Sequence, residues 1–176
     1  MTRAACAEGA DLALVTGDLV HIGLPSELLE ARAWLDTLAA SVPVVLAPGN
    51  HDCYRADTVL GIAQQWPAHL YGEDGAHFPR LVQRGDVSII ALSSAEPMPW
   101  WSAGGRLGAA QLGELAQLLT RCAGSFRCVM LHHAPLPGHL RLAEAPFWTS
   151  SQAHLLARGV ADDADWAVVV DTLDTM

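Results

Sequence analysis

The sequence predicts an α/β protein in which a sheet with parallel pairs is layered with helices. Short continuous apolar runs recur along it, each ending in a polar cluster, as parallel strands buried on both faces do. Between them lie segments whose apolar residues repeat at helical spacing, and strands that alternate with helices imply parallel connections. Length and composition fit one packed unit: the chain has 176 residues, 51% of them hydrophobic and 16% charged. A chain of this size buries about 70% of its unfolded surface, so it needs neither a disulfide nor a structural metal to fold.

Leu12 to Val15 (LALV) reads as the first buried strand, stopping at Thr16-Gly17-Asp18. Ser26 is placed to cap the helix that follows, in which Leu28, Leu35, Leu38 and Ala39 recur up to Ala40. Val42 to Leu46 is the next buried strand, ending at Pro48-Gly49-Asn50-His51-Asp52, and a second helix covers Asp57 to Trp66. From Phe78 to Leu92 two β-rich segments flank Arg84-Gly85-Asp86, which reads as a hairpin turn. A Gly/Pro/Trp-rich loop from Ser93 to Gly108 leads into a helix with Leu112, Leu115, Leu118 and Leu119 on one face. Arg127 to Leu131 is a third buried strand, ending at His132-His133-Ala134-Pro135. A helix capped by Ser150 or Ser151 runs to Arg158, and the run Ala167 to Val170 closes the chain.

Charge narrows the function. The formal net charge is −9 and the acids are spread along the chain, which excludes the electrostatic footprint of a nucleic-acid polymer or an anionic membrane partner. A small phosphorylated substrate is a different matter, because a bound metal reverses the local field. All ten basic residues are arginine, which looks like coding bias. No apolar run approaches the ~18 residues of a membrane span, and Met1 to Ala10 has no apolar core of a signal peptide. Cys6, Cys53, Cys122 and Cys128 show no metal-ligand spacing and read as free thiols in a reducing cytosol, so the expected location is cytoplasmic. A Cys122–Cys128 bridge is the reading for an exported protein.

The strand ends carry the chemistry. In open α/β sheets, ligand sites gather beyond the carboxyl ends of the strands, and here those ends hold Gly17-Asp18, Gly49-Asn50-His51-Asp52 and His132-His133. Gly17-Asp18 alone is an ordinary turn, and a His pair alone is an ordinary loop. Pro-Gly-Asn-His-Asp is harder to read as a turn, which uses Gly and Asn but has no need of His-Asp. An Asp beside a His can fix that ring's tautomer and raise its basicity.

The stretches LVTGDLV, VVLAPGNHD and VMLHHAPLP, in that order, resemble the calcineurin-like metallophosphoesterases. SAGGRLGAAQLGELAQLL is similar to the bacterial phosphodiesterase branch, which includes cyclic-nucleotide phosphodiesterases. The resemblance runs from Asp11 to about Arg158. It implies a layered α/β sandwich of the metallophosphoesterase type, truncated at the first strand. It also implies two divalent ions, Mn²⁺, Fe or Zn²⁺ by their mixed oxygen and nitrogen ligation, clamping the attacking and leaving oxygens of a phosphoester. Asp18 matches the bridging carboxylate, Asn50 a neutral amide-oxygen ligand, and His132, rather than His133, the imidazole ligand. His51 matches the residue that contacts the phosphate and protonates the leaving oxygen, with Asp52 orienting it.

The family's opening Asp-x-His and closing Gly-His-x-His are not found. One ion keeps Asp18, Asn50 and His132, and the other keeps Asp18 alone unless Asp171 or Asp174 replaces the missing histidines. The expectation is therefore a single phosphoesterase domain over residues 1–176, incomplete at both ends, with a sheet edge open to self-association. Its expected function is metal-dependent hydrolysis of a small phosphodiester, a cyclic nucleotide among the candidates. The alternative is an inactive remnant that binds one metal or a phosphorylated ligand weakly, or an interaction domain. Trp100-Trp101 reads equally as a pocket cap or a packed lid, His21, just after the Gly-Asp loop, as a surface residue in preference to one near the metals, and Cys53 as a non-catalytic thiol. His69, His77, His139 and His154 lack ligand spacing.

Overall fold

The computed structural model describes residues 9–72, 75, 77–99 and 101–133, together with the backbone of 166–170. Strand β1 (Ala13–Val15) pairs in parallel with β2 (Val44–Leu46), Leu14 opposite Val45. Helix α1 (Pro25–Ala39) makes the crossover, and α2 (Ala56–Gln65) and α3 (Pro67–Tyr71) follow β2. A second sheet has the order β3-β4-β5-β6. In it β3 (Arg80–Arg84) and β4 (Val87–Ala91) form the antiparallel hairpin expected around Gly85, whose φ of 54° a glycine accommodates. Helix α4 (Ala109–Arg121) then carries the chain to β5 (Phe126–Leu131), parallel to β4, and β6 (Trp166–Val170) adds in parallel beyond it.

Alternation along the strands builds the layers, because successive strand side chains point to opposite faces. Val45, Ala47, Ile89, Ala91, Cys128 and Met130 form a core between the two sheets. Val44 and Leu46 point the other way, onto Leu28, Leu35, Leu38, Ile62, Trp66 and Leu70 of α1 to α3. Ile90, Leu92, Val129 and Leu131 pack on Leu112, Leu115, Leu118 and Leu119 of α4. The result is the layered α/β sandwich that the sequence predicts, with helices outside and two sheets within. Fully buried side chains such as Leu46 and Leu131 each contribute about 1.5–3 kcal/mol through burial.

Three local expectations change. Ser26 does not cap α1; Leu24 is the N-cap and Pro25 the first helical residue, where its fixed φ and missing N–H suit the position. Glu27 does the capping instead, its carboxylate accepting the Leu24 N–H at 2.8 Å. Ala39 is exposed, and Ala31 takes the buried place beside Leu28 and Leu35. Cys53, Cys122 and Cys128 are buried free thiols, so no Cys122–Cys128 bridge forms. Leu12 and Leu14 are only half-buried, and with Val87, Ile89, Phe126 and Cys128 they line an open cleft of about 560 Å³. The expected helix ending at Arg158, along with Cys6, Trp100, His139, His154, Asp171 and Asp174, lies outside the described residues.

Candidate metal and phosphate site

The carboxyl ends of β1, β2 and β5 meet, and each delivers one cluster. Beyond β1, Gly17 has φ 99° and Asp18 has φ 54°, a left-handed pair that turns the chain sharply. Asp tolerates that region better than most residues, and strained backbone of this kind is concentrated at functional sites. Gly17 and Gly49 let the β1 and β2 loops touch. A Cβ on Gly17 would run into the backbone of Pro48 and Gly49, and one on Gly49 would run into Asp18.

Asp52 fixes the two loops to each other. Its side chain is fully buried and accepts four backbone N–H groups: Asp18 and Gly49 on Oδ2, both at 2.9 Å, and Leu19 and Val20 on Oδ1, at 2.9 and 3.3 Å. Burial pushes its carboxyl up to about 6, with the Gly49 N–H pulling against the rise and the Asp18 carboxylate adding to it. This corrects the expectation that Asp52 orients His51. All four of its contacts are to backbone, and the His51 ring is held elsewhere: its Nδ1–H donates to the His21 carbonyl at 2.6 Å. The His51 backbone N–H donates to Asp18 Oδ1 at 2.9 Å.

Asp18, Asn50 and His132 converge. His132 is buried at the end of β5, and its Nδ1–H donates to the Thr16 carbonyl at 2.7 Å. The opposite nitrogen, Nε2, lies 3.0 Å from Asn50 Oδ1 and 3.5 Å from Asp18 Oδ2. In the neutral ring this tautomer leaves a lone pair on Nε2, facing two oxygen acceptors. A proton on Nε2 or a bound cation satisfies the two oxygens that face it, and a carboxylate, an amide oxygen and an imidazole suit a borderline divalent ion. The Thr16 carbonyl gives the histidine the outer hydrogen bond that metal-ligating imidazoles nearly always make. These residues therefore fit one ion. Among the described residues no group of three or more His, Cys, Asp or Glu could hold a metal, so an ion here would rest on Asp18, His132 and the amide of Asn50.

His133 turns away. Its Nδ1 lies 2.8 Å from Ser94 Oγ and its Nε2 2.9 Å from the Ala103 carbonyl, so both ring nitrogens are engaged. Burial, and then the neighbouring His132, push its pKa down to about 4. It is a neutral packing residue at the root of the 93–108 loop. Trp101 in that loop is 73% exposed, so it is not a packed lid. Burial pushes the Cys53 thiol up to about 12, which makes it inert. The ring of His21 stacks on that of His51, with centroids 5.6 Å apart and planes at 20°. Nothing in the sequence signals this role for residue 21, because a backbone carbonyl and a stacking distance leave no motif.

A two-sheet sandwich with Gly-Asp, Gly-Asn-His-Asp and His-His at adjoining strand ends is the architecture of a metallophosphoesterase. The chain belongs to the calcineurin-like phosphoesterase family, whose model matches residues 1–139. A second model, of a family of proteins of unknown function (DUF2789), matches residues 115–176. The chain is 30% identical over 135 residues to the cAMP/cGMP dual specificity phosphodiesterase MT0825 of Mycobacterium tuberculosis (strain CDC 1551 / Oshkosh). The match covers 76% of this chain and only 39% of that relative's length. The fold is similar to that of TT1561 from Thermus thermophilus, with a TM-score of 0.55 and 14% identity, covering 96% of this chain and 72% of the other. No helix among the described residues is long and apolar enough to cross a membrane.

Proposed function

We propose that this chain is a metal-dependent phosphoesterase acting on small phosphodiesters, with Asp18, Asn50 and His132 holding a divalent cation. The observation that carries the reading is the convergence of His132 Nε2, Asn50 Oδ1 and Asp18 Oδ2 from three strand ends, with His132 Nδ1–H already given to the Thr16 carbonyl. A divalent ion bound there supplies Lewis acidity and neutralises charge building on a phosphoryl oxygen. Asn50 helps because its amide ligates without adding a negative charge to repel the substrate. His51 is the phosphate contact: with Nδ1–H given to the His21 carbonyl, Nε2 is the nitrogen left to meet the substrate, and it would deliver a proton to the leaving oxygen only from the doubly protonated ring. Asp18 has its Oδ1 held by the His51 N–H, so its Oδ2 faces the ligand set. Asp52 acts structurally, holding both loops in register. A second ion, expected for the family, would need donors from outside the described residues. The relative's name makes cyclic nucleotides the first natural phosphodiesters to assay.

The test is Mn²⁺-dependent hydrolysis of bis(p-nitrophenyl) phosphate by this chain, followed by cyclic AMP, with Asp18→Asn as control. Turnover that disappears in the control supports the reading. Folded protein that binds Mn²⁺ through Asp18 without turnover refutes it and assigns the chain a binding role only.

A further inference from the structure

His51, the candidate phosphate contact, is flanked by two other rings. The His21 ring lies nearly parallel to it, with centroids 5.6 Å apart and planes at 20°. The Tyr54 ring meets it edge-on, at 5.3 Å and 65°. Both flanking rings reach solvent: His21 is exposed, and Tyr54, like His51, is half-buried. Their backbone is anchored. Tyr54 follows Asp52 and Cys53, which are both buried. His21 sits on the loop of residues 20–24, pinned at one end by the Val20 N–H on Asp52 Oδ1. At the other end the Ile22 and Leu24 N–H groups donate to Glu27 Oε2, at 3.3 and 2.8 Å. Between them Gly23 lies so close to Thr58 of α2 that a Cβ would strike that side chain. Rings carried on anchored backbone lose little freedom when a ligand meets them.

The structural duties at these positions leave the rings uncommitted. What holds His51 Nδ1 is the backbone carbonyl of His21, at 2.6 Å, and any residue at position 21 supplies one. The Tyr54 hydroxyl makes no hydrogen bond among the described residues. Asp18, Asn50 and His132 offer only polar atoms to a phosphoester that meets His51. Its organic group therefore finds its apolar contacts on the two rings that flank His51. We propose that the His21 and Tyr54 rings bind the organic group of the substrate and select phosphodiesters in which that group is a planar aromatic or heteroaromatic ring. The proposal rests on the functional reading in taking His51 as the phosphate contact. Aromatic rings favour offset-stacked or edge-to-face contact with another ring, and each such contact strengthens binding about two- to tenfold. A small alkyl group has neither a face nor an edge to offer them.

The experiment is titration of the Mn²⁺-loaded full chain with phenylphosphonate and with methylphosphonate at pH 8, followed by ³¹P line broadening. Both ligands present the same PO₃ group, their P–C bonds resist hydrolysis, and only one carries a ring. The chain is expected to bind phenylphosphonate about tenfold more tightly. His21→Ala and Tyr54→Ala should each reduce that preference about two- to fivefold, and the double variant should nearly abolish it. The affinity for methylphosphonate should change little, because residue 21 keeps its carbonyl. Tyr54→Phe retains the ring and should restore the preference. Equal affinity for the two phosphonates, or a full preference in the folded double variant, overturns the proposal and leaves the phosphate site standing. Binding of neither overturns it together with the phosphate site. A preference in a chain that does not hydrolyse bis(p-nitrophenyl) phosphate supports the proposal and counts against the phosphoesterase reading alone.

Discussion

Replacing Asp52 separates the cost of a buried charge from the value of the backbone it organises. At pH 7.5 the carboxylate is ionised, since burial raises it only to about 6, and its two oxygens satisfy four N–H groups. Asp52→Asn keeps the shape and one oxygen but turns an NH₂ group toward the two donors on the other. Asp52→Ala removes the partner of all four. Both variants relieve the same buried charge, so that contribution cancels in the difference between them. What remains is two additional orphaned backbone N–H groups in Ala against the buried NH₂ group that Asn leaves without an acceptor, each group costing about 1–3 kcal/mol. The Ala variant should therefore be less stable than the Asn variant by roughly 1–3 kcal/mol. Urea denaturation of both, monitored by tryptophan fluorescence at pH 7.5, gives the difference directly. If the two midpoints differ by less than about 1 kcal/mol after conversion with the common m-value, the four-donor account is wrong.

Gly49→Ala places a methyl against Asp18 and should destabilise the fold by about 1–3 kcal/mol and lower Mn²⁺ affinity, both readable by calorimetry. His132→Ala should weaken Mn²⁺ binding about 10–100-fold or more. His133→Ala, by contrast, should leave binding nearly unchanged while lowering the melting temperature, because only His132 faces Asp18 and Asn50. Below pH 4 the Asp36–His69 pair should contribute an acid-sensitive increment. The His69 hydrogen bond lowers the Asp36 carboxyl from 3.8, so its stabilisation is present above that pH and fades as pH falls through the folded value. Asp36 is half exposed, so the increment should not exceed about 1 kcal/mol. Asp36→Asn should flatten the acid limb of a stability–pH curve by that amount, and an unchanged limb would exclude the pair as its source.

The sandwich class, the three strand-end clusters and most of the element order among the described residues were legible in the sequence, but the short helix Pro67–Tyr71 was not. Continuous apolar runs such as LALV and VVL read as strands, though only the second is fully buried, and Gly-Asn-His-Asp at a strand end is specific chemistry. The roles within each cluster depend instead on how the chain packs. Neighbours in sequence predicted that Asp52 serves His51, yet adjacent residues in a tight turn point apart, and Asp52 turns inward to four amides while His51 reaches across to residue 21. In the sequence, the choice of His132 over His133 rested on the family resemblance alone. In the fold, alternation at the end of β5 sends one ring toward Thr16 and Asn50 and the other toward Ser94 and Ala103. The contact of the two glycine loops and the carbonyl behind His51 were invisible for a common reason. Any residue type supplies a backbone carbonyl or amide, so only the fold determines which of them meets a side chain far away in sequence.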